Sequence, residues 1–351
     1  MNRERFDKAV CIGRFQLFHA GQFAIVRRAL ALAPRVVVVI GSSHQARSAK
    51  NPFTWEERAE MIRLALPEAE RGRVTFAPVR DYYDPARWVQ AVHAAADVQA
   101  GERVALVGHR KDATSEYLND FPGWKLVDVG DQGPLHAKAL RSALFTGDNV
   151  DASLAAMASQ VPETTVQFLR AWAQLPFFGA LRAESQALAA ERARWAGSPY
   201  PPVFVTVDAV VRVGDHVLLI RRGRAPGKGL LALPGGFLEP RETVYQSAIR
   251  ELREETGFEL FPSELRAGLQ AVRVFDHPDR SQRGRIITHA HYFAFQADRL
   301  PEVQGSDDAQ DARWFPLSGL AAMEDQFHDD HFHILDAFLG ILAATPQRTA
   351  P

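Results

Sequence analysis

What the chain has least of is cysteine. Its 351 residues contain one, Cys11, which excludes a disulfide framework and a cysteine-built zinc site within one chain. An excess of one charge is also lacking, since 41 Lys and Arg stand against 42 Asp and Glu, a formal net charge of −1. A dedicated nucleic-acid binder carries a basic footprint, so nucleic acid is not an expected partner. No apolar run approaches the roughly 18 residues of a membrane span. The start, MNRERFDKAVCIG, is charged rather than apolar and does not read as a signal peptide. The expectation is a soluble, cytoplasmic protein with no membrane partner. With 46% hydrophobic and 24% charged residues the chain is too apolar for disorder. At roughly 150 residues per domain its length suggests about two domains.

Over the first 150 residues short β-rich runs alternate with helical spacing. The runs are Ala9–Ile12, Val36–Ile40, Val74–Val79, Val104–Val107 and Leu126–Val129. This alternation predicts βαβ units and a doubly wound parallel sheet, a Rossmann-like α/β domain. Helical stretches follow at Ser153–Ser159, Thr164–Leu175 and Ala180–Trp195, broken at Pro176–Gly179. Their apolar faces suit docking of the two halves or of a second subunit, so a homo-oligomer is compatible with the sequence. Gly197–Pro202 reads as a Pro-rich linker. Beyond it, strands are expected at Val203–Val213, His216–Ile220, Leu269–Phe275, His289–Phe295 and Ala312–Phe315, with helices near 242–256 and 331–343. That is a mixed sheet with helices, an α/β/α sandwich. The expected domains are 1–180 with trailing helices, a linker at 181–202, and 203–351.

The strongest motif is Gly236 to Phe258, GFLEPRETVYQSAIRELREETGF. On a helix Glu251, Glu254 and Glu255 stand at i, i+3 and i+4 and share a face. Their mutual repulsion makes sense if a divalent cation sits between them, and hard oxygen donors suit magnesium. Arg250 can tether the cluster through a carboxylate such as Glu242, and Gly257 can end the helix in a left-handed cap. The segment resembles the Nudix box. The resemblance implies that Glu251, Glu254, Glu255 and the Gly236 carbonyl bind magnesium or manganese, with Glu251 and Glu255 catalytic and Glu251 the base. Glu242, Arg250 and Gly257 would be structural. Further on, Phe275–His289 reads as a loop bearing Arg280, Arg283 and Arg285, guanidinium groups suited to phosphates or a ribose. It resembles the Nudix branch tied to NAD metabolism, whose substrate is ADP-ribose.

Near the N-terminus, Gly13, Arg14 and Phe15 lead to His19 and Gln22 at the start of a helix. Gly13 permits close approach to a phosphate, and a helix N-terminus offers amides and a positive dipole end. The segment resembles the nucleotidyltransferase signature of two histidines flanking a glycine. Lys50, Asn51 and Arg58 follow strand two, Asp81 and Trp88 strand three, Gly108, Lys111 and Asp112 strand four, and Arg141 strand five. Such strand ends are where open α/β sheets bind ligands. Together they resemble the nicotinamide mononucleotide (NMN) adenylyltransferases fused to a Nudix domain. The resemblance implies that NMN and ATP give NAD and pyrophosphate, with His19, Arg14, Lys50 and Arg141 on phosphates and Trp88 stacked on nicotinamide. Two positions depart from the pattern. Gln22 stands where the second histidine is usual, and Leu135–Leu140 carries no Ser or Thr ahead of Arg141, only His136 and Lys138 as further cations. The alternative reading is therefore an active hydrolase with a degenerate nucleotide-binding N-terminal domain. A transcriptional sensor would need a basic helix-turn-helix, and no such pattern flanks the box.

Overall fold

Both faces of the second strand are buried. Val36, Val38 and Ile40 enter one core, while Val37 and Val39 enter another, as a strand of period two covered on both sides requires. The computed structural model describes residues 5–110, 113–130, 137–147 and 149–344, and the chain divides into units 1–185 and 186–351. In the first unit the elements are β1 (Lys8–Gly13), α1 (Ala20–Leu32), β2 (Arg35–Ile40), α2 (Trp55–Ala65), α3 (Glu68–Arg71), β3 (Val74–Pro78), α4 (Pro85–Ala96), β4 (Val104–Gly108) and β5 (Lys125–Asp128). All five strands are parallel, in the order β3-β2-β1-β4-β5. The order reverses between β1 and β4, so the crevice beyond their C-terminal ends is the natural ligand position.

Helices α5 (Ala137–Thr146), α6 (Val150–Met157) and α7 (Glu163–Trp172) send Leu144, Phe145, Leu154, Leu169 and Trp172 into the same core as β2. α8 (Phe177–Ala193) begins in the first unit and ends in the second. The expected break at 176–179 falls earlier: residues 173–176 separate α7 from α8, and Phe177–Gly179 are already helical.

The second unit holds a mixed seven-stranded sheet: β6 (Val203–Val213), β7 (His216–Arg222), β8 (Leu231–Ala232), β9 (Gly235–Phe237), β10 (Leu269–Phe275), β11 (Arg285–Phe295) and β12 (Ala309–Pro316). α9 (Val244–Thr256) and α10 (Pro262–Gly268) lie on one face and α11 (His331–Leu339) on the other, with a short α12 (Ile341–Ala344) at the end. Along β7 the side chains alternate, Leu218 and Ile220 toward α9, Val217 and Leu219 toward α11. β11 starts at Arg285, so the arginine-bearing loop is shorter than expected. The run Ile286-Ile287-Thr288 pairs in parallel with Phe204-Val205-Thr206, and burial of those side chains outweighs the polar residues before them.

Candidate active sites

At the crevice of the first sheet the β1–α1 turn is locked from below. Gln16 is buried; its Nε2 donates to Phe53 O at 2.9 Å and its Oε1 accepts from Phe53 N at 3.1 Å. Arg58, 1% exposed, donates to the carbonyls of Arg14 (2.7 Å), Gly41 (2.7 Å), Ser42 (3.2 Å) and Thr54 (3.1 Å). It thus ties the ends of β1 and β2 to the start of α2. Burial pushes its guanidinium down to about 10. Arg58, expected as a substrate contact, here braces the backbone that shapes the site.

Arg14 is exposed, and Arg141 on α5 is half-buried. Burial, then the like charge of Arg14, brings Arg141 down to about 10. Two arginines thus concentrate positive potential beside the crevice. His19 caps α1, and its backbone N–H donates to Gln22 Oε1 at 3.3 Å. Gln22 spends its carbonyl oxygen on the cap, so the substrate contact expected of it is one that its Nε2 would make as a donor. Phe15 is buried, and its ring lies where a Gly13 Cβ would meet it at 3.1 Å. Lys50 is half-buried on the loop before α2.

Asp81 and Asn51 are joined by a residue that sequence reading missed. Gln45 Nε2 donates to Asp81 Oδ2 at 2.9 Å, and Asn51 Nδ2 donates to Gln45 Oε1 at 2.6 Å. Ser42 Oγ adds a bond to Asp81 Oδ2 at 2.8 Å. Trp88 on α4 is edge-on to Tyr117 at 5.6 Å and to Phe121 at 6.0 Å, so part of its surface belongs to the core. Gly108 ends β4, backed by Leu118. Lys111, Asp112 and His136 lie outside the described residues.

In the second unit, Thr243 caps α9 by accepting from Gln246 N, and Gly257 ends it at φ 62°. Arg250 is the hub of the acidic helix. Its Nε donates to Glu242 at 3.0 Å, and its Nη1 to Glu251 and Glu254 at 2.9 Å each. Ser247 Oγ also donates to Glu242, at 2.6 Å. One guanidinium therefore offsets the repulsion that the spacing of these carboxylates creates. Glu255, 4% exposed, accepts from the Gly235 N–H at 2.9 Å. Burial raises it to about 8 and also raises Glu251. The paired glycines have no room for side chains. A Cβ on Gly236 would stand 2.3 Å from Glu251 Oε1, and one on Gly235 would stand 2.2 Å from Val207 O.

Among the described residues no three His, Cys, Asp or Glu side chains form a ready metal-ligand set; Arg250 and the Gly235 amide hold these carboxylates. The donor chemistry nevertheless fits a divalent cation. Two desolvated carboxylates of raised pKa, beside a glycine backbone with no side chain in the way, are hard oxygen donors that a cation would compensate.

Two expected contacts are structural. Arg280 is buried and pairs bidentately with Asp330 at 2.8 and 2.9 Å, a correction that follows from burial, since an unpaired guanidinium there would be costly. Arg285 donates to Asp276 O, bracing the turn between β10 and β11. Arg283 pairs with Glu191 at 3.0 Å and lies over the Phe237 ring at 4.6 Å. Sequence reading also missed His331. Its Nδ1 accepts from Leu233 N–H at 3.0 Å, so the ring is neutral with its proton on Nε2. Asp208 Oδ1, 3.9 Å from that same Nδ1, is thus no ion-pair partner. Burial, then His328, pushes His331 down to about 3.

The model of the NUDIX domain family matches residues 202–338, and that of the cytidylyltransferase-like family residues 10–119. A Francisella tularensis structure described as a bifunctional NMN adenylyltransferase/ADP-ribose pyrophosphatase, complexed with AMP and a manganese ion, is 34% identical. It covers 95% of this chain and 99% of its own, with a TM-score of 0.86. The chain belongs to the family of bifunctional NMN adenylyltransferase/ADP-ribose pyrophosphatases. Each half also has its own relatives. A nicotinamide/nicotinic acid mononucleotide adenylyltransferase of Acinetobacter baylyi is 33% identical over 169 residues, 47% of this chain and 86% of the relative. An ADP-ribose pyrophosphatase of Methanocaldococcus jannaschii is 38% identical over 117 residues, 33% of this chain and 63% of the relative. Family membership thus joins the basic crevice and the acidic helix in one polypeptide.

Proposed function

We propose that this chain is a two-site enzyme of NAD metabolism. The first unit transfers the adenylyl group of ATP to NMN, giving NAD and pyrophosphate. The second hydrolyses ADP-ribose to AMP and ribose 5-phosphate with magnesium or manganese, in the cytoplasm where such nucleotides are handled. The observation that carries the reading is the chain-long similarity to a bifunctional enzyme, 34% identical over 95% of this chain.

In the transfer, an NMN phosphate oxygen attacks the α-phosphorus of ATP, a new P–O bond forms, and pyrophosphate leaves. The nucleophile is already an anion, so the site needs alignment and charge neutralisation rather than a base. Arg14, Arg141, Lys50 and His19 are the cations and donors suited to that work. Asp81, Asn51 and Trp88 suit the NMN end. Gln16 and Arg58 hold the turn from which Arg14 and His19 project.

In the second unit Glu251, Glu254, Glu255 and the Gly236 carbonyl are the groups that would hold the cation. When bound, such a cation neutralises the diphosphate and lowers the pKa of a water. Arg250 keeps Glu251 and Glu254 together before substrate arrives, the Gly235 amide holds Glu255, and Glu251, desolvated and raised, is suited to take a proton from water.

The test supplies the purified chain with NMN, ATP and magnesium, and in parallel with ADP-ribose. NAD formation together with release of AMP and ribose 5-phosphate supports the two-site reading. Hydrolysis without NAD would favour the reading in which Gln22 and the missing hydroxyls have reduced the first site to nucleotide binding. Absence of hydrolysis would overturn the second half of the proposal.

A further inference from the structure

The loop from β2 to α2 bears two cations three positions apart, Arg47 and Lys50, and the structure treats them differently. Arg47 forks onto Glu57, Nη1 donating to Oε2 at 2.6 Å and Nη2 to Oε1 at 2.8 Å, and Nη1 also donates to Pro52 O at 2.8 Å. The same guanidinium lies over the Phe177 ring of α8, 4.2 Å from its centroid. A bidentate pair that is also stacked on a ring is fixed in both position and orientation. Glu57 is held in turn. Thr54 N–H donates to it at 2.9 Å as part of the α2 cap, and Trp172 Nε1 of α7 donates to it at 3.1 Å. Trp172 is buried and packs on Phe53 at 4.6 Å, so the carboxylate is anchored to the core.

Between Arg47 and Pro52 the chain makes a tight turn. Ser48 N–H donates to Asn51 O at 3.3 Å, and Asn51 N–H to Ser48 Oγ at 3.1 Å. Glu184 of α8 accepts from Ala49 N–H at 3.3 Å. Lys50 therefore sits on a turn closed at its base by Arg47 and held from the side by α8, although residues 41–54 contain no helix or strand. A loop without regular structure otherwise samples many conformations, whereas aligned phosphate chemistry needs one. Both terminal nitrogens of Arg47 are engaged, so the phosphate role falls to Lys50.

We infer that Arg47 and Glu184 are positioning residues of the adenylyl-transfer site, which act through Lys50 and make α7 and α8 working parts of that site. The inference rests on the proposed transfer to NMN and adds how its cationic loop is kept in one conformation. Neither residue touches substrate in this scheme. Their contribution is the placement of the Lys50 ammonium against a phosphate, where an error of about 1 Å lowers the rate by up to roughly 100-fold.

The test is a double-mutant cycle on the full-length chain, read as kcat/KM for NAD formation from NMN and ATP. Arg47→Met should lower it about 10- to 100-fold. In the Lys50→Met background the same change should lower it by no more than about twofold, because the group that Arg47 places is gone. A merely structural Arg47 would weaken both backgrounds by the same factor. Such additivity overturns the inference, and so does an unchanged rate in Arg47→Met. Glu184 gives a second route that does not depend on that variant folding. Glu184→Ala should lower kcat/KM several-fold, and Glu184→Gln, which keeps an acceptor for the Ala49 N–H, should restore most of it. Equal rates in wild type and Glu184→Ala, or in Glu184→Ala and Glu184→Gln, would overturn the part assigned to α8. Wild-type chain that forms no NAD would instead sink the proposed transfer. The same cycle read as ATP affinity by calorimetry then decides the brace, with additivity again counting against it.

Discussion

The two units solve the same problem, handling a charged nucleotide, with opposite electrostatics, and each uses one arginine as a brace to do it. In the first unit Arg58 gathers backbone carbonyls from three chain segments, leaving Arg14 and Arg141 to face the crevice. In the second, Arg250 gathers carboxylates so that an acidic helix can exist at all. One arginine shapes a loop that presents positive charge; the other restrains negative charge until a cation takes it over. The lesson is that the arginine most central to each site is tied to fixed partners, Arg58 to backbone carbonyls and Arg250 to carboxylates, whatever its burial.

The largest expected effect tests whether the two chemistries are separable. Glu255→Gln removes a desolvated carboxylate from the cation site and should lower ADP-ribose hydrolysis by more than about 100-fold, since even outer-shell changes at metal sites reach roughly that size. NAD formation should persist, and loss of both activities would undo the two-site comparison.

Next comes the scaffold role of Arg58. Arg58→Met leaves buried carbonyls of Arg14, Gly41, Ser42 and Thr54 without donors and should destabilise the first unit by about 3 kcal/mol or more. Chemical denaturation followed by fluorescence measures it. Native-like stability with a raised KM for ATP would mean that Arg58 contacts substrate after all.

A third difference concerns pH. His331 is held near 3 in the folded protein against 6.5 ordinarily. Below pH 6.5 the unfolded chain takes up a proton that the folded ring refuses. The stability due to this ring is therefore complete above about 6.5 and declines as pH falls toward 3. The second unit should lose stability over that window, and His331→Gln should flatten the decline. A pH profile identical in wild type and variant would place the ring's energetics elsewhere.

The smallest effect sharpens the reading of the first site. Gln22→His restores the usual second histidine but gives up the bond from His19 N–H. Adenylyl transfer should rise several-fold, while stability falls by roughly 0.5–1 kcal/mol from the lost cap. No gain in transfer would mean that Arg14, Lys50 and Arg141 already supply the charge.

Much of this was legible without coordinates. The parallel sheet follows from short apolar runs such as Val36–Ile40, and α9 from carboxylates three and four apart and a Gly257 stop. The placement of single cations was much less legible. Arg280, Arg283 and Arg285 look alike in sequence, yet one is buried on Asp330, one covers Phe237 beside Glu191, and one braces a turn. Gln45, Gln16 and His331 gave no sequence signal, because amides and a helical histidine are ordinary residues until their neighbours are known.

What the sequence determined by itself is whatever depends on near neighbours along the chain: strand and helix periods, helix caps, and the spacing of the acidic helix. Those features rest on contacts within a few residues, whose geometry the local backbone sets. The tertiary structure alone decided which charges are neutralised and where. Arg58 reaches Arg14 across 44 positions and Arg280 reaches Asp330 across 50, and whether a guanidinium is a scaffold or a ligand contact depends on the burial that such distant pairing imposes.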